Sequence, residues 1–157
     1  MKAASLNQLK KELSQIPPED VLDYCMHLAK YKKENKELLT YLLFEANDPT
    51  SYIQGVKEIM DEQYGEINQT NLYWAKKSLR KILRITNKHI KYSGSKQIEL
   101  ELLIYYCQKL KKSEIPFEKS TALSNLYIRQ TQRIKKALAS LHEDLQFDYA
   151  DEVKSVV

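Results

Sequence analysis

The residues best placed to do chemistry in this chain are cations, and they are concentrated in its middle. No aspartate or glutamate lies between Glu66 and Glu99. Eight basic residues lie in that interval: Lys76, Lys77, Arg80, Lys81, Arg84, Lys88, Lys91 and Lys96. Residues 1–67 and 142–157 each have a net charge of −4, whereas residues 68–141 have a net charge of +12. The total of +4 therefore hides a strongly basic centre, which favours an anionic partner.

Helical geometry would place most of these cations on one face of a single helix. At about 100° per residue, five of them fall within an arc of about 80°. These five are Lys77, Lys81, Arg84, Lys88 and Lys91. Arg80 lies at the edge of the arc, and the opposite side of the helix is apolar. Like charges at this spacing repel one another, so a compensating anion is expected nearby.

A second, weaker basic stripe follows in a later predicted helix, with Arg129, Arg133 and Lys136 on one side. In stacked helical hairpins alternate helices lie side by side, so the fifth and seventh predicted helices should be neighbours. Their stripes would then merge into one basic patch. The predicted anion-binding residues are Lys77, Arg80, Lys81, Arg84, Lys88, Lys91, Arg129, Arg133 and Lys136.

Phosphate is the natural ligand of such a patch, because Lys and Arg displace the counterions condensed on nucleic acids. Tyr73, Trp74 and Tyr92 are candidates for stacking on exposed bases, although aromatic residues at helical spacing also build cores. Three interpretations stay open at this point. In the first, the patch binds nucleic acid. In the second, the domain is an interaction scaffold and the patch binds an acidic protein partner. In the third, the domain is structural and has no ligand, and the acidic ends of the chain neutralise the patch.

The sequence contains no pattern typical of a catalytic or metal site. Glu99 and Glu101 would lie about 200° apart on a helix and cannot act as an acid–base pair. Asp20, Asp23 and His27 form a row that could in principle hold a metal, but the polar outer face of a helix is by far the better explanation of it. We therefore expect a non-enzymatic binding domain with no metal, no cofactor and no small-molecule substrate.

Other polar residues are expected to be solvent-facing. Asp61 and Glu62 would be surface charges at the end of the fourth predicted helix. Glu101 shares a stripe with Gln97 and Gln108, which indicates a solvated edge.

The elements that position these residues are predicted to be helices only. Apolar residues recur at three- and four-residue spacing, and the chain has only three glycines. Seven helices are expected: from Ser5 to about Gln15, from Pro17–Pro18, over about Asn35–Ala46, from Asp48–Pro49 to about Tyr64, from a cap at Asn68 or Thr70 to about Tyr92, over about Lys96–Lys112, and from about Glu118 to Asp144. Short connections imply antiparallel hairpins, stacked as a HEAT-like array or as a closed bundle.

The apolar stripes predict the core. The second helix should bury Val21, Leu22, Cys25, Leu28 and Ala29, and the third should bury Leu38, Leu39, Leu42 and Leu43. Further buried positions are expected at Ile82, Leu83, Leu103, Tyr106 and Leu138. Cys25 and Cys107 lie far apart among apolar residues, so both should be reduced, buried thiols.

Length and composition favour a single domain over residues 1–157, with residues 146–157 forming either a docked helix or a loose acidic tail. No apolar run has the length of a signal peptide or membrane span, so a cytoplasmic protein without a membrane partner is expected. The oligomeric state is not specified by these patterns.

Two segments, LAKYKKENKELLTYLLFEA at residues 28–46 and RKILRITNKHIKYS at residues 80–93, resemble a family of small uncharacterised all-helical bacterial proteins. The likeness extends over about residues 20–147, and the general pattern is similar to short HEAT-like helical repeats. The resemblance implies a binding platform, and it implies no catalytic residue, cofactor or substrate.

Overall fold

The computed structural model describes all 157 residues, and the chain is entirely helical. Its eight α-helices are α1 (Leu6–Leu13), α2 (Pro18–Tyr31), α3 (Lys33–Thr40), α4 (Pro49–Gly65), α5 (Leu72–Ser93), α6 (Lys96–Lys112), α7 (Thr121–Ala139) and α8 (Glu143–Val156). A π-helical turn, Tyr41–Glu45, follows α3, and a 3₁₀ turn, Phe117–Lys119, precedes α7. The all-α class is confirmed, whereas the helix count was one too low.

The additional helix arises because the predicted seventh helix ends at Ala139. His142 adopts an extended conformation there, and its Nδ1 accepts a hydrogen bond of 3.3 Å from the backbone N–H of Asp144. Glu143 and Asp144 then occupy the first turn of α8, where carboxylates stabilise a helix N-terminus. No glycine or proline marks this break, and the apolar periodicity of the sequence continues through it. The two helices were therefore predicted as one.

Two further boundaries differ from the sequence-based expectation. The cap of α5 is Asn71, because the Asn68 side chain is used in a local turn, accepting from the backbone N–H of Thr70 at 3.1 Å. The third predicted helix was expected to run to Ala46 as one α-helix. It instead changes to π-helical geometry at Tyr41.

The chain forms two compact units, Met1–Phe44 and Glu45–Val157. The expectation of a single domain over the whole chain stays a prediction.

The first unit contains α1, α2 and α3, and Tyr41 is its one buried residue. The side-chain N–H of Asn35 donates to the carbonyl of Leu28 at 2.8 Å and fixes the α2–α3 hairpin. The predicted burial of Cys25 and Leu42 was wrong, since both are exposed; so are Leu22, Leu28, Leu38 and Leu43. The apolar stripes of α2 and α3 exist, but a pair of packed helices cannot enclose a side chain on all sides.

The second unit has its core around α6, which packs against α4, α5, α7 and α8. Eight of the residues of α6 are buried, and they occupy most of its circumference. Burial of Ile82, Leu103, Tyr106 and Cys107 is confirmed. Leu83 and Leu138 are only half-buried, because they lie at the margins of their helices' apolar stripes.

Four tyrosine hydroxyls join the helices of this unit by donating to backbone carbonyls, and the first is Tyr52, which donates to the carbonyl of His89 at 3.2 Å. Tyr64 donates to the carbonyl of Tyr106 at 3.0 Å, and Tyr106 donates to the carbonyl of Leu79 at 3.1 Å. Tyr127 donates to the carbonyl of Val156 at 2.6 Å. Burial raises the pKa values of Tyr64 and Tyr106, and it raises the pKa of Tyr127 to about 12. Each buried hydroxyl is thereby satisfied as a donor.

Residues 143–156 form a docked helix, with Val153 and Val156 buried. The Tyr149 hydroxyl accepts from Gln97 Nε2 at 2.8 Å and donates to the Glu101 carboxylate. Burial, together with the Glu101 carboxylate, raises the pKa of Tyr149 to about 12. Glu101 also lies 4.0 Å from Lys57 Nζ, so its expected place on a solvated edge is corrected to a half-buried contact with α8 and α4.

None of the eight helices combines the length and the apolar character that a bilayer crossing would require.

Candidate anion-binding face

The candidate site is built on α5, the longest helix of the chain at 22 residues. The Asn71 side chain caps its start, accepting from the backbone N–H groups of Tyr73 at 3.0 Å and Trp74 at 3.2 Å. Gly94 ends it in the left-handed conformation, at φ 61°, with its N–H donating to the Ile90 carbonyl. The side facing the core is fixed by burial of Ala75, Leu79, Ile82, Thr86 and Ile90. Helix α5 is thus held at both ends and along one side, which orients its other side outward.

Six cations on the outer side of α5 form no ion pair. We call this set the α5 basic face: Lys76, Lys77, Arg80, Lys81, Arg84 and Lys91. All are exposed except Lys76, which is half-buried. Other Lys and Arg side chains of the same unit do pair with carboxylates: Lys57, Lys96, Lys109, Arg133 and Lys154. Unpaired cations also occur on other segments of this unit, but α5 carries the largest group of them on any one helix.

Five of these six cations line an open depression of about 460 Å³, together with Tyr73 and Ser78. Its walls are long, flexible side chains projecting from one helix. Such a surface can follow an extended anion, whereas a small rigid substrate would need a more enclosed pocket.

Two aromatic rings extend the α5 basic face toward its N-terminal end. Tyr73 is 63% exposed and Trp74 is 50% exposed, and their rings meet edge to face with centroids 5.2 Å apart. The Lys77 Nζ lies 5.3 Å from the Trp74 ring centroid, a cation–π distance. Both rings are accessible enough for a planar ligand to reach them.

Lys88 and Tyr92, also predicted for the site, are not counted in the α5 basic face. Both are half-buried, and both have contacts within the chain. The Tyr92 ring meets the His89 ring edge to face at 6.0 Å. The structure places Tyr92 in a packed aromatic contact, in contrast to Tyr73 and Trp74.

Arg133 has an internal role that the sequence did not reveal. Its Nη2 lies 2.8 Å and its Nε 3.3 Å from the same oxygen of Glu99. Its Nη1 donates to Asn87 at 2.7 Å and to Gln130 at 3.1 Å. With every guanidinium nitrogen engaged, Arg133 has little capacity left for an external anion.

Glu99 accepts from two cations, because Lys96 Nζ lies 2.7 Å from its other oxygen. Burial acts to raise the pKa of Glu99, but hydrogen bonds and charge from Lys96 and Arg133 outweigh it and lower that pKa below its ordinary value. The spacing of Glu99 and Glu101 gives no sign of the pairing with Arg133, because Arg133 lies 34 positions away in the sequence.

The contact between Arg133 and Asn87 joins α7 to α5 next to the basic face. Asn87 lies one turn from both Arg84 and Lys91 along α5. On α7, Arg129 and Lys136 lie one turn to either side of Arg133, and both are exposed and form no ion pair. Of the predicted α7 stripe, these two cations are available to a ligand.

Asp61, which the sequence predicted to be a surface charge, takes part in a contact between two helices. The Tyr105 hydroxyl donates to its two oxygens at 2.7 and 2.8 Å, and Lys109 Nζ lies at 3.0 Å. Burial acts to raise the pKa of Asp61, yet Tyr105 and Lys109 lower it overall. Burial and the neighbouring carboxylate raise the pKa of Tyr105 to about 12. The predicted surface charge at Asp61 thus links α4 to α6.

No group of three or more His, Cys, Asp or Glu side chains has an arrangement that could hold a metal ion. Asp20, Asp23 and His27 are all exposed on α2.

Comparison of the chain with protein families, with curated proteins and with solved structures finds no significant match. The resemblance to small bacterial helical proteins gains no support from these comparisons and stays a prediction.

Proposed function

We propose that this chain is a non-enzymatic binding domain that engages single-stranded nucleic acid through the α5 basic face. One observation carries the proposal: six neighbouring cations of α5 form no ion pair, although five other Lys and Arg side chains of the same unit do. Like charges one turn apart destabilise a helix by a few tenths of a kcal/mol per pair. A bound polyanion offsets that repulsion, and its phosphates would match the row of cations.

The length of the face suits a polymer. From Lys77 to Lys91 the helix rises by about 21 Å, at 1.5 Å per residue, which spans several successive phosphates. Arg129 and Lys136 would widen the face on the α7 side, beside the contact of Arg133 with Asn87. Arg133 itself is assigned to neutralisation within the chain.

The exposed rings favour an unpaired strand over a duplex. Tyr73 and Trp74 offer accessible ring faces next to Lys77, and a base stacked on an aromatic side chain contributes about 1–3 kcal/mol. Bases in a duplex are already stacked on one another and cannot use these rings. Tyr92 is left out of the stacking set, because its ring already contacts His89.

The platform for this face would be a closed bundle. Helix α6 contacts four other helices of the second unit, as expected for the central helix of a bundle. The HEAT-like array, suggested by the general pattern of the sequence, is the alternative arrangement.

The test is fluorescence anisotropy with labelled single-stranded and duplex oligonucleotides over a series of salt concentrations. The variant Lys77→Gln/Lys81→Gln/Arg84→Gln removes three exposed cations without opening a cavity. We expect its log–log salt slope on single strands to fall by about 2, because each phosphate contact contributes about 0.7. The single tryptophan provides a second readout, since stacking on Trp74 should quench its intrinsic fluorescence.

A matched control is Lys112→Gln/Lys119→Gln/Lys135→Gln, which removes the same charge from exposed positions outside the face. Equal losses in the control and the α5 variant would show that only net charge matters, contradicting the site. If the wild type binds neither strand form at low salt, nucleic acid is the wrong ligand. An acidic protein partner would then be the next candidate.

A further inference from the structure

The first unit exposes far more apolar surface than the second. Of the twenty large apolar side chains that are exposed in the chain, thirteen lie within residues 1–44. Nine of the thirteen belong to the α2–α3 hairpin and the π-helical turn that follows it. Apolar surface concentrated in this way marks an interaction site more often than single exposed residues do.

A groove of about 870 Å³ runs along one side of this hairpin. Its apolar part includes Met26, Leu43 and Phe44, which are 45%, 60% and 75% exposed. Its rim near the turn between α2 and α3 carries Lys30, Lys32, Lys33 and Lys36 against one carboxylate, Glu37, which lies 3.8 Å from Lys33 Nζ, so this end is basic overall. We call this side the hairpin groove.

The charges along the hairpin groove are ordered from one end to the other. On α2, Glu19, Asp23, Met26 and Lys30 share a stripe within about 60°, as their spacing of four, three and four residues requires. Acidic residues therefore lie at the start of α2, an apolar residue in the middle and a lysine at the turn. The Lys36 side chain on α3 adds to the basic end, whereas Lys33 is paired with Glu37.

We infer that the hairpin groove binds the same groove of a second copy of this chain, with the two hairpins antiparallel. A twofold axis through the middle of the groove exchanges its ends, so the basic turn of one copy meets the acidic start of the other. The apolar centres then face each other and form the core of a four-helix bundle. Such self-complementarity is the requirement of a twofold symmetric interface.

Other occupants fit the charge order less well. A partner of one charge sign would meet like charge at one end of the groove, and an apolar peptide would leave both charged ends unmatched. Two parallel hairpins would place lysine against lysine at the turn. Only the antiparallel pair satisfies both ends with the same surface.

Sedimentation equilibrium of the full chain tests this inference. We expect a reversible dimer, with twice the chain mass of 18.5 kDa. Met26→Glu should weaken dimerisation by at least about 30-fold, as for loss of a central interface side chain. Phe147→Glu is the matched control, because Phe147 is exposed in the second unit, and it should leave dimerisation unchanged.

A charge-reversal experiment distinguishes a second copy of this chain from any other partner. Glu19→Lys/Asp23→Lys and Lys30→Glu/Lys36→Glu should each weaken the dimer, and the chain carrying all four changes should recover it. If the substitutions instead weakened the dimer by destabilising the fold, the combined variant would dimerise even more weakly than either double variant. A monomer at all concentrations, a dimer unaffected by Met26→Glu, or no recovery in the combined variant would each overturn the inference. None of these results depends on nucleic-acid binding, so the two proposals fail independently.

Discussion

At the scale of single residues, the two cysteines illustrate how burial decides reactivity. Burial raises the pKa of Cys107 to about 12, so almost none of it is thiolate at neutral pH. Cys25 is exposed on α2. We expect a thiol reagent such as DTNB to modify one cysteine rapidly in the native protein and the second only on unfolding. In Cys25→Ser the rapid phase should disappear, and two rapid equivalents in the wild type would contradict the buried position of Cys107.

The ion pair between Glu99 and Arg133 predicts a pH-dependent contribution to stability. Since the folded state holds the pKa of Glu99 below its ordinary value, the ionised carboxylate stabilises the fold above its unfolded pKa. That contribution is lost as pH falls through the folded pKa. Glu99→Gln should therefore lower the free energy of unfolding by about 1 kcal/mol at pH 7.

Urea unfolding at neutral and at acid pH measures this effect. The difference between Glu99→Gln and the wild type should shrink toward zero in acid, where the wild-type carboxylate is protonated. Glu118→Gln makes the same charge change at an exposed position and should have little effect. A deficit of equal size at both pH values would indicate a packing role for Glu99 instead.

The sequence identified Arg133 correctly as part of a basic stripe, but not its partner. Glu99 lies on a different helix, and only the packing of α6 against α7 brings it within hydrogen-bonding distance. By contrast, Lys77, Lys81 and Arg84 could be placed on one exposed face from spacing alone, because a helical face is a local property.

At the scale of elements, two glycines predict opposite responses to the same substitution. Gly94 ends α5 at φ 61°, where a side chain is strained, whereas Gly55 lies within α4 in helical geometry. A Cβ at either position meets no atom within 4 Å, so packing does not enter the comparison. Gly94→Ala should destabilise by about 1 kcal/mol, and Gly55→Ala should stabilise by about 0.5–1 kcal/mol.

Thermal unfolding followed by circular dichroism compares the two variants directly. A lower midpoint for Gly94→Ala and a higher one for Gly55→Ala are expected. Equal shifts in the same direction would show that α5 does not end in the left-handed conformation.

The element boundaries divide into those with and without a sequence signal. The stop at Gly94 and the start at Pro49 were predictable, since glycine and proline act locally. The break between α7 and α8 depends on His142 capping the next helix, and histidine is not a residue from which a cap is inferred.

At the scale of the whole molecule, the division into two units explains why burial was predicted well in one part and poorly in the other. Ile82 and Leu103 belong to helices with neighbours on several sides, so their apolar stripes are covered. Leu42 and Cys25 lie on stripes of the same kind but in a unit with one buried residue. Periodicity indicates which face of a helix is apolar, and it carries no information about whether another element covers that face.

The contacts that the hydroxyls of Tyr64, Tyr106 and Tyr127 make with backbone carbonyls have a consequence for how this fold tolerates substitution. The acceptors at Tyr106, Leu79 and Val156 are carbonyls, which every amino acid provides, so substitution at an acceptor position leaves the acceptor group in place. Only the donor depends on side-chain identity, and phenylalanine would remove it. In an alignment of homologous sequences, these helix contacts would produce no correlated pairs of substitutions. Each contact would appear only as a single conserved tyrosine.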